Sequence, residues 1–293
     1  MDVVVFGAGS LGSLLGGLLA RAHDVTLVGR HRHVERVRRE GLRVTGAVEA
    51  TVFPDARTDA PASADLALVT VKAYDTAAAA SALADTDLDA TLSLQNGLGN
   101  ERRLAEALDA PALAGTCTYG ARLVGPGEVA CTGVGEVVLG AREGGASTLA
   151  DRVGAAFTEA DVATTVADDM PRRLWEKLAV NAGINAPTAL ARIQNGSLLD
   201  GDVADLTRTA ACEVAAAARA DGVDLTDDAA VNAVERVARA TADNRSSMLQ
   251  DVEKARRTEV DSINGVVSGP DAPVNRTLTA LLRAWERERG LRE

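Results

Sequence analysis

Lys177, Asn181 and Asn185 recur every fourth residue within the stretch Arg172 to Asn185. On a helix that spacing gathers one ionisable donor and two amides onto a single face, spanning roughly 80° of arc. Leu174, Leu178, Val180 and Ile184 interleave with or border the arc, so an ordinary solvated stripe is not built this way. Asn is a poor helix former, and its repetition here suits a helix that lines a ligand cleft. The plainer alternative is a surface lysine beside two capping or core amides. Lysine itself is scarce, occurring only as Lys72, Lys177 and Lys254 among 31 Lys and Arg residues. Where a chain has otherwise replaced lysine with arginine, lysine at two candidate site positions points to proton exchange, which arginine effectively cannot perform.

A second set of candidate residues opens the chain. The apolar run Met1 to Phe6 leads straight into Gly7-Ala8-Gly9-Ser10-Leu11-Gly12 and then into Leu14 to Ala20, which reads as strand, glycine turn and helix. In that setting GxGxxG is the dinucleotide fingerprint. Gly7 permits the tight turn, Gly9 lets the backbone approach a pyrophosphate, and Gly12 lets the helix pack on the strand. The phosphates then meet the helix N-terminus, where unpaired N–H groups and the helix dipole favour negative charge. A second strand, Asp24 to Val28, ends at Gly29-Arg30-His31-Arg32. An acidic residue there would bind a ribose 2′-hydroxyl, whereas arginine accommodates a 2′-phosphate, so the turn favours NADP over NAD. The competing view is a solvated helix start, since Arg36, Arg38 and Arg39 follow. Lys72 after the fourth expected strand, and Asn96 in Gln95-Asn96-Gly97 after the fifth, stand where an α/β sheet presents ligands. Each also has a local alternative, a surface helix start for Lys72 and a simple turn for Asn96.

The elements that must position these groups follow from periodicity. Strands alternate with helical segments through the first half, which predicts an α/β fold with an N-terminal Rossmann-type, doubly wound parallel sheet. Closely spaced strands around Gly125-Pro126-Gly127 predict an antiparallel edge to that sheet. Beyond about residue 167 no strand pattern persists, and Pro187, Gly201, Gly222 and Gly269-Pro270 are expected to punctuate long helices. The expected division is a dinucleotide-binding domain over 1–167 and an all-α substrate-binding domain over 168–293. A net charge of −11 disfavours nucleic acid and anionic membrane as partners and leaves a small molecule. Cys117, Cys131 and Cys212 are odd in number and widely spaced, and His23, His31 and His33 cluster early. The expectation is therefore reduced thiols, no metal site and no histidine acid later in the chain. With no apolar run long enough to span a bilayer, a cytoplasmic location is expected. Oligomeric state stays open, a homodimer included.

Over essentially its full length the chain resembles the ketopantoate reductases (2-dehydropantoate 2-reductases). The resemblance rests on Gly7 to Gly12, Lys72, Gln95-Asn96-Gly97, Trp175-Glu176-Lys177-Leu178 with Asn181 and Asn185, Ser246 to Asp251, and Thr258-Glu259-Val260-Asp261. It implies NADPH-dependent reduction of a 2-keto acid, 2-dehydropantoate, to pantoate on the route to coenzyme A. It also implies roles: Lys177 as general acid, Glu259 as binder of the substrate and its reacting oxygen, and Asn181, Asn185 and Ser247 as substrate-binding residues. Arg30, Lys72 and Asn96 would contact the cofactor. Hydride arriving at a 2-keto carbon leaves an alkoxide that must be stabilised and protonated, which suits a lysine. On one unbroken helix Ser247 and Glu259 would diverge by about 120°. The charged stretch Asp251 to Arg257 is therefore expected to break it. Two other readings stand beside this one: another NAD(P)-dependent 2- or 3-hydroxyacid dehydrogenase of the same design, and a non-catalytic dinucleotide sensor. Lys177 and Glu259 together argue against the sensor, which needs no proton donor.

Overall fold

The computed structural model describes residues 1–292, which fall into two compact units. One comprises Met1–Gln95 and Gly99–Met170, and the other comprises Asn96–Leu98 together with the chain from Pro171 onward.

In chain order the first unit contains β1 (Asp2–Phe6), α1 (Ser10–Leu19), β2 (Asp24–Val28), α2 (His31–Glu40), β3 (Leu42–Gly46), β4 (Ala50–Val52), β5 (Asp55–Arg57) and β6 (Ser63–Val69). It continues with α3 (Thr76–Leu83), β7 (Asp87–Ser93), α4 (Asn100–Ala107), β8 (Ala112–Cys117), β9 (Gly120–Gly125), β10 (Glu128–Gly133), β11 (Val137–Ala141), α5 (Thr148–Glu159) and β12 (Thr164–Val166). The main sheet has the order β12-β11-β8-β7-β6-β1-β2-β5. β1 runs parallel to both β2 and β6, so the chain leaves it toward one side of the sheet and later returns on the other. The carboxyl end of β1 is thus the topological switch point at which such sheets bind ligands. Val3, Val4 and Val5 are almost fully buried, as expected of a strand covered on both faces.

The antiparallel pair expected around Gly125-Pro126-Gly127 exists as β9 and β10, but it does not edge the main sheet. It joins β3 and β4 in a separate four-stranded sheet of order β4-β3-β10-β9. The reason lies in α1. A Cβ on Gly17 would come within 3.0 Å of Leu42 and 3.1 Å of Val44, so α1 buries its second apolar face under β3. Within the main sheet the antiparallel strand is β11, against β8.

The second unit contains α6 (Met170–Ala191), whose first residue belongs to the first unit, then α7 (Asp202–Ala220), α8 (Asp227–Ala240), α9 (Ser247–Glu253) and α10 (Pro273–Glu288). Ala210, Ala211, Ala215 and Ala218 on α7 are fully buried, and such small side chains let helix axes approach closely. Pro187 was expected to end a helix, yet it lies inside α6. Beside it, the Thr188 hydroxyl lies 2.7 Å from Ile184 O and 3.1 Å from Asn185 O, a side-chain bond back onto the preceding turn. Among the described residues no helix is long and apolar enough to cross a membrane, and no group of His, Cys, Asp and Glu could hold a metal ion.

Candidate functional site

The first unit carries a candidate nucleotide-binding turn made mostly from main chain. Gly7 has φ +110°, and a Cβ there would sit 2.7 Å from Val71 N. A Cβ on Gly12 would sit 2.2 Å from Gly7 O, so neither position accepts a larger residue without backbone movement. Gly9 differs. Its Cβ would meet nothing nearer than 3.9 Å, so the space beside it is open to a ligand. The Gly7 and Ala8 N–H groups both donate to Val28 O, at 3.0 and 2.9 Å, which ties the turn to the end of β2. Gly9 is the N-cap of α1 with no side-chain hydrogen bond, and the first turn holds no acidic residue. The N–H groups of Ser10, Leu11 and Gly12 therefore remain available to an anion. These features fit a pyrophosphate.

Side chains from elsewhere hold this turn. Thr70, directly after β6, donates through its hydroxyl to Gly7 O at 2.9 Å, while its own N–H donates to Phe6 O at 3.0 Å. The Ser10 hydroxyl accepts from Leu123 N at 3.0 Å. Arg30 caps α2 in extended conformation and is exposed, with no carboxylate partner among the described residues. Three residues on, the buried His33 ring accepts from Gly127 N at Nδ1 (3.1 Å). That leaves Nε2 to donate to Ser13 Oγ, also at 3.1 Å. Burial lowers the pKa of His33, consistent with a neutral ring. Lys72 is half-buried and precedes a single 3-10 turn, Ala73–Asp75. Below it lies a buried polar network in which Gln95 Nε2 donates to Val71 O (3.0 Å) and Thr76 Oγ1 (2.8 Å), and Thr76 Oγ1 donates to Asn100 Oδ1 (2.8 Å). Sequence reasoning missed Thr70, His33 and Thr76 as supports. The one available signal was a hydroxyl residue at a strand end or helix start.

The candidate residues of the second unit are side chains. Lys177, Asn181 and Asn185 all lie on α6, as their spacing required. Asn185 is 5% exposed, and the Nδ2 atoms of both Asn181 and Asn185 are buried without a protein hydrogen-bond partner. Isolated cases occur elsewhere in this unit at Asn195, Thr207 and Asn264, but on α6 two amide donors stand on successive turns. An unmet buried donor costs roughly 1–3 kcal/mol, so a repeated one on a single helix suits an acceptor brought by a ligand.

Glu259 is likewise 5% exposed. As the charged stretch predicted, α9 stops at Glu253, and Ala255 adopts φ +48°, so Ser247 and Glu259 do not share a helix. Ser246, rather than Ser247, is the helix cap, accepting from Leu249 N at 3.1 Å and from Thr188 Oγ1 at 2.7 Å. Ser247 is left exposed at the first position of α9. Asn96 groups with this unit. Its Nδ2 donates to Glu259 Oε2 at 3.3 Å, and Leu98 N donates to Ser262 O at 3.3 Å. Gly97 makes that docking possible, with φ +85° and a Cβ position only 2.3 Å from Ser262 O. The structure thus joins Asn96, a residue expected at the cofactor, to Glu259, one expected at the substrate.

Known proteins match the chain over nearly its whole length. The family described as "Ketopantoate reductase PanE/ApbA" matches residues 3–144, and "Ketopantoate reductase PanE/ApbA C terminal" matches 169–286. The 2-dehydropantoate 2-reductase of Halobacterium salinarum is 43% identical, covering 98% of this chain and 100% of the relative. That of Archaeoglobus fulgidus is 40% identical, covering 97% of each. Among solved structures, the PanE/ApbA family ketopantoate reductase from Ralstonia eutropha superposes with a TM-score of 0.89 at 34% identity, covering 99% of this chain and 100% of that one. D-mandelate dehydrogenase, solved with NADH and anilino(oxo)acetate, gives 0.91 at 23% identity with complete coverage of both chains, which is a likeness of fold.

Proposed function

The chain belongs to the ketopantoate reductase family, and from that premise we propose that it reduces 2-dehydropantoate to (R)-pantoate with NADPH. The observation that carries this reading is the pair of buried, unpaired amide donors on the helix of Lys177. A hydroxylated 2-keto acid supplies the acceptors they lack: carboxylate, carbonyl and hydroxyl oxygens.

NADPH, when bound, supplies the hydride. In the first unit the Gly7–Gly12 turn and the open N-terminus of α1 receive its pyrophosphate, Arg30 its 2′-phosphate, and Lys72 a further contact. In the second unit Asn181, Asn185 and Ser247 hold the keto acid through neutral hydrogen bonds. The Lys177 ammonium stabilises the negative charge that develops on the keto oxygen and returns a proton to it. Glu259 binds the substrate and its reacting oxygen, with Asn96 fixing one carboxylate oxygen. The partner is a small molecule, which the acidic surface suits better than nucleic acid or an anionic membrane.

The test is loss of reduced-nicotinamide absorbance with 2-dehydropantoate beside a panel of aliphatic and aromatic 2-keto acids, each with NADPH and with NADH. The expected result is highest kcat/KM for 2-dehydropantoate with NADPH, and a preference for NADPH that shrinks in Arg30→Ala. Better turnover of another keto acid would overturn the substrate, and equal efficiency with NADH would overturn the cofactor.

A further inference from the structure

Glu259 sits in irregular chain. From Lys254 to Ile263 the backbone forms no helix or strand long enough to hold a side chain by its own hydrogen bonds. Turns within it tie Glu259 O to the Ser262 and Ile263 amides, each at 3.1 Å, and anchors from outside the segment converge on both flanks of Glu259. On one side, Thr258 gives both its N–H (2.7 Å) and its hydroxyl (2.6 Å) to Glu286 Oε1, on α10. The same hydroxyl accepts from Val260 N at 3.3 Å, so one side chain bridges the residues before and after Glu259. Glu286 is fully buried, and its other oxygen accepts from Arg292 Nε at 2.8 Å. On the other side, Asp261 accepts from Arg283 Nε at 2.8 Å and from the Arg292 Nη2 group. Burial pushes the Asp261 carboxyl up, but the hydrogen bonds from Arg292 and Arg283 outweigh it and hold the group below its ordinary range. Arg292 thus grips both carboxylates with different nitrogens of one planar guanidinium.

We infer that Arg292, acting through Glu286 and Asp261, is a positioning residue for Glu259, fixing the direction of its carboxylate toward the keto acid. This rests on the reading above that Glu259 binds the keto acid. The latch fits that role better than general reinforcement because it is aimed. Two carboxylates held by one guanidinium attach on either side of the buried glutamate. A misplacement of order 1 Å at a binding carboxylate is enough to cost roughly ten- to hundredfold in efficiency.

The experiment compares the full-length Arg292→Ala, Arg292→Lys, Thr258→Val and Glu259→Ala proteins. For each, KM for 2-dehydropantoate, kcat, the Kd of NADPH by fluorescence and the melting temperature are measured. Arg292→Ala should raise the keto-acid KM roughly tenfold or more with a smaller change in kcat, while NADPH Kd stays within about twofold. Arg292→Lys keeps the charge but loses the fork, and should recover part of the KM. Thr258→Val keeps the backbone bond to Glu286 and serves where Arg292→Ala fails to fold; it should raise KM severalfold. An unchanged KM in either folded variant, or a parallel loss of NADPH binding, would overturn the latch. If Glu259→Ala raises KM while the latch variants do not, only the latch falls. If Glu259→Ala leaves KM unchanged, the assignment of Glu259 and the latch fall together.

Discussion

On the function proposed above, the glycine turn of the first unit and the α6–Glu259 region of the second unit each receive an anion, but with different materials. In the first, Ser10, Leu11 and Gly12 present backbone N–H groups at a helix end, and the supports from Thr70, Ser10 and His33 only steady the turn. In the second, the groups come from α6, from the start of α9, from an irregular segment and from a three-residue loop some eighty positions earlier in the chain. The lesson is that main-chain recognition is local and tolerant of side-chain change except where a Cβ would collide. Side-chain recognition is distributed, and each donor carries its own energetic cost until the ligand arrives.

The largest effect that would sharpen this contrast is Lys177→Ala. It should lower kcat by roughly 10²–10⁴ with NADPH binding intact, since a general acid acts in the transition state. Near-normal kcat with chemistry rate-limiting would return α6 to a structural role. Next comes Gly12→Ala, whose methyl would collide with Gly7 O. It should weaken NADPH binding at least about tenfold and cost roughly 1–3 kcal/mol of stability, measured by calorimetry and thermal melting. Unimpaired binding would mean that the turn does not receive the phosphates. Asn185→Leu probes the opposite material: the side chain keeps the same branching and number of heavy atoms, and the lost donor has no protein partner. KM for the keto acid should rise about tenfold while melting temperature holds or increases, because a burial penalty has been removed. A fall in both stability and activity would show the amide to be structural.

The smallest effect concerns pH. The His33 pKa is lowered from 6.5 by burial, so the folded state binds fewer protons than the unfolded state in the window just below that value. Its contribution is fully present above pH 6.5 and is lost as pH falls toward the depressed folded value. The difference in stability between wild type and His33→Gln should therefore shrink on acidification through that window. A difference that does not vary with pH would mean that His33 does not titrate on unfolding.

What could be read in advance follows the same division. The Gly7–Gly12 turn and the Lys177, Asn181, Asn185 stripe were legible because each is specified within one element, by turn geometry or by helical period. The break between Ser247 and Glu259 was legible from the charge run Asp251 to Arg257, which interrupts the apolar pattern of the helix. The separate sheet of β3, β4, β9 and β10 was not, because hydropathy identifies a strand without naming its neighbour. Pro187 misled because a proline removes one helix hydrogen bond without fixing where the helix stops, and α6 runs on to Ala191. The anchoring of Glu259 was invisible because Glu286 and Arg292 lie some thirty residues further along the chain.

Asn96–Leu98 bears on how such proteins can be recombined. Although these three residues interrupt the sequence of the first unit, they bond to Glu259 and Ser262 of the second. A chimera joined at residue 170 that takes its nucleotide-binding half from one relative and its helical half from another would bring a foreign triplet against the recipient's Glu259 segment. The seam for grafting is therefore three-dimensional. A donor domain must arrive with the recipient's triplet written into it, with glycine kept at Gly97, where any side chain would strike Ser262 O.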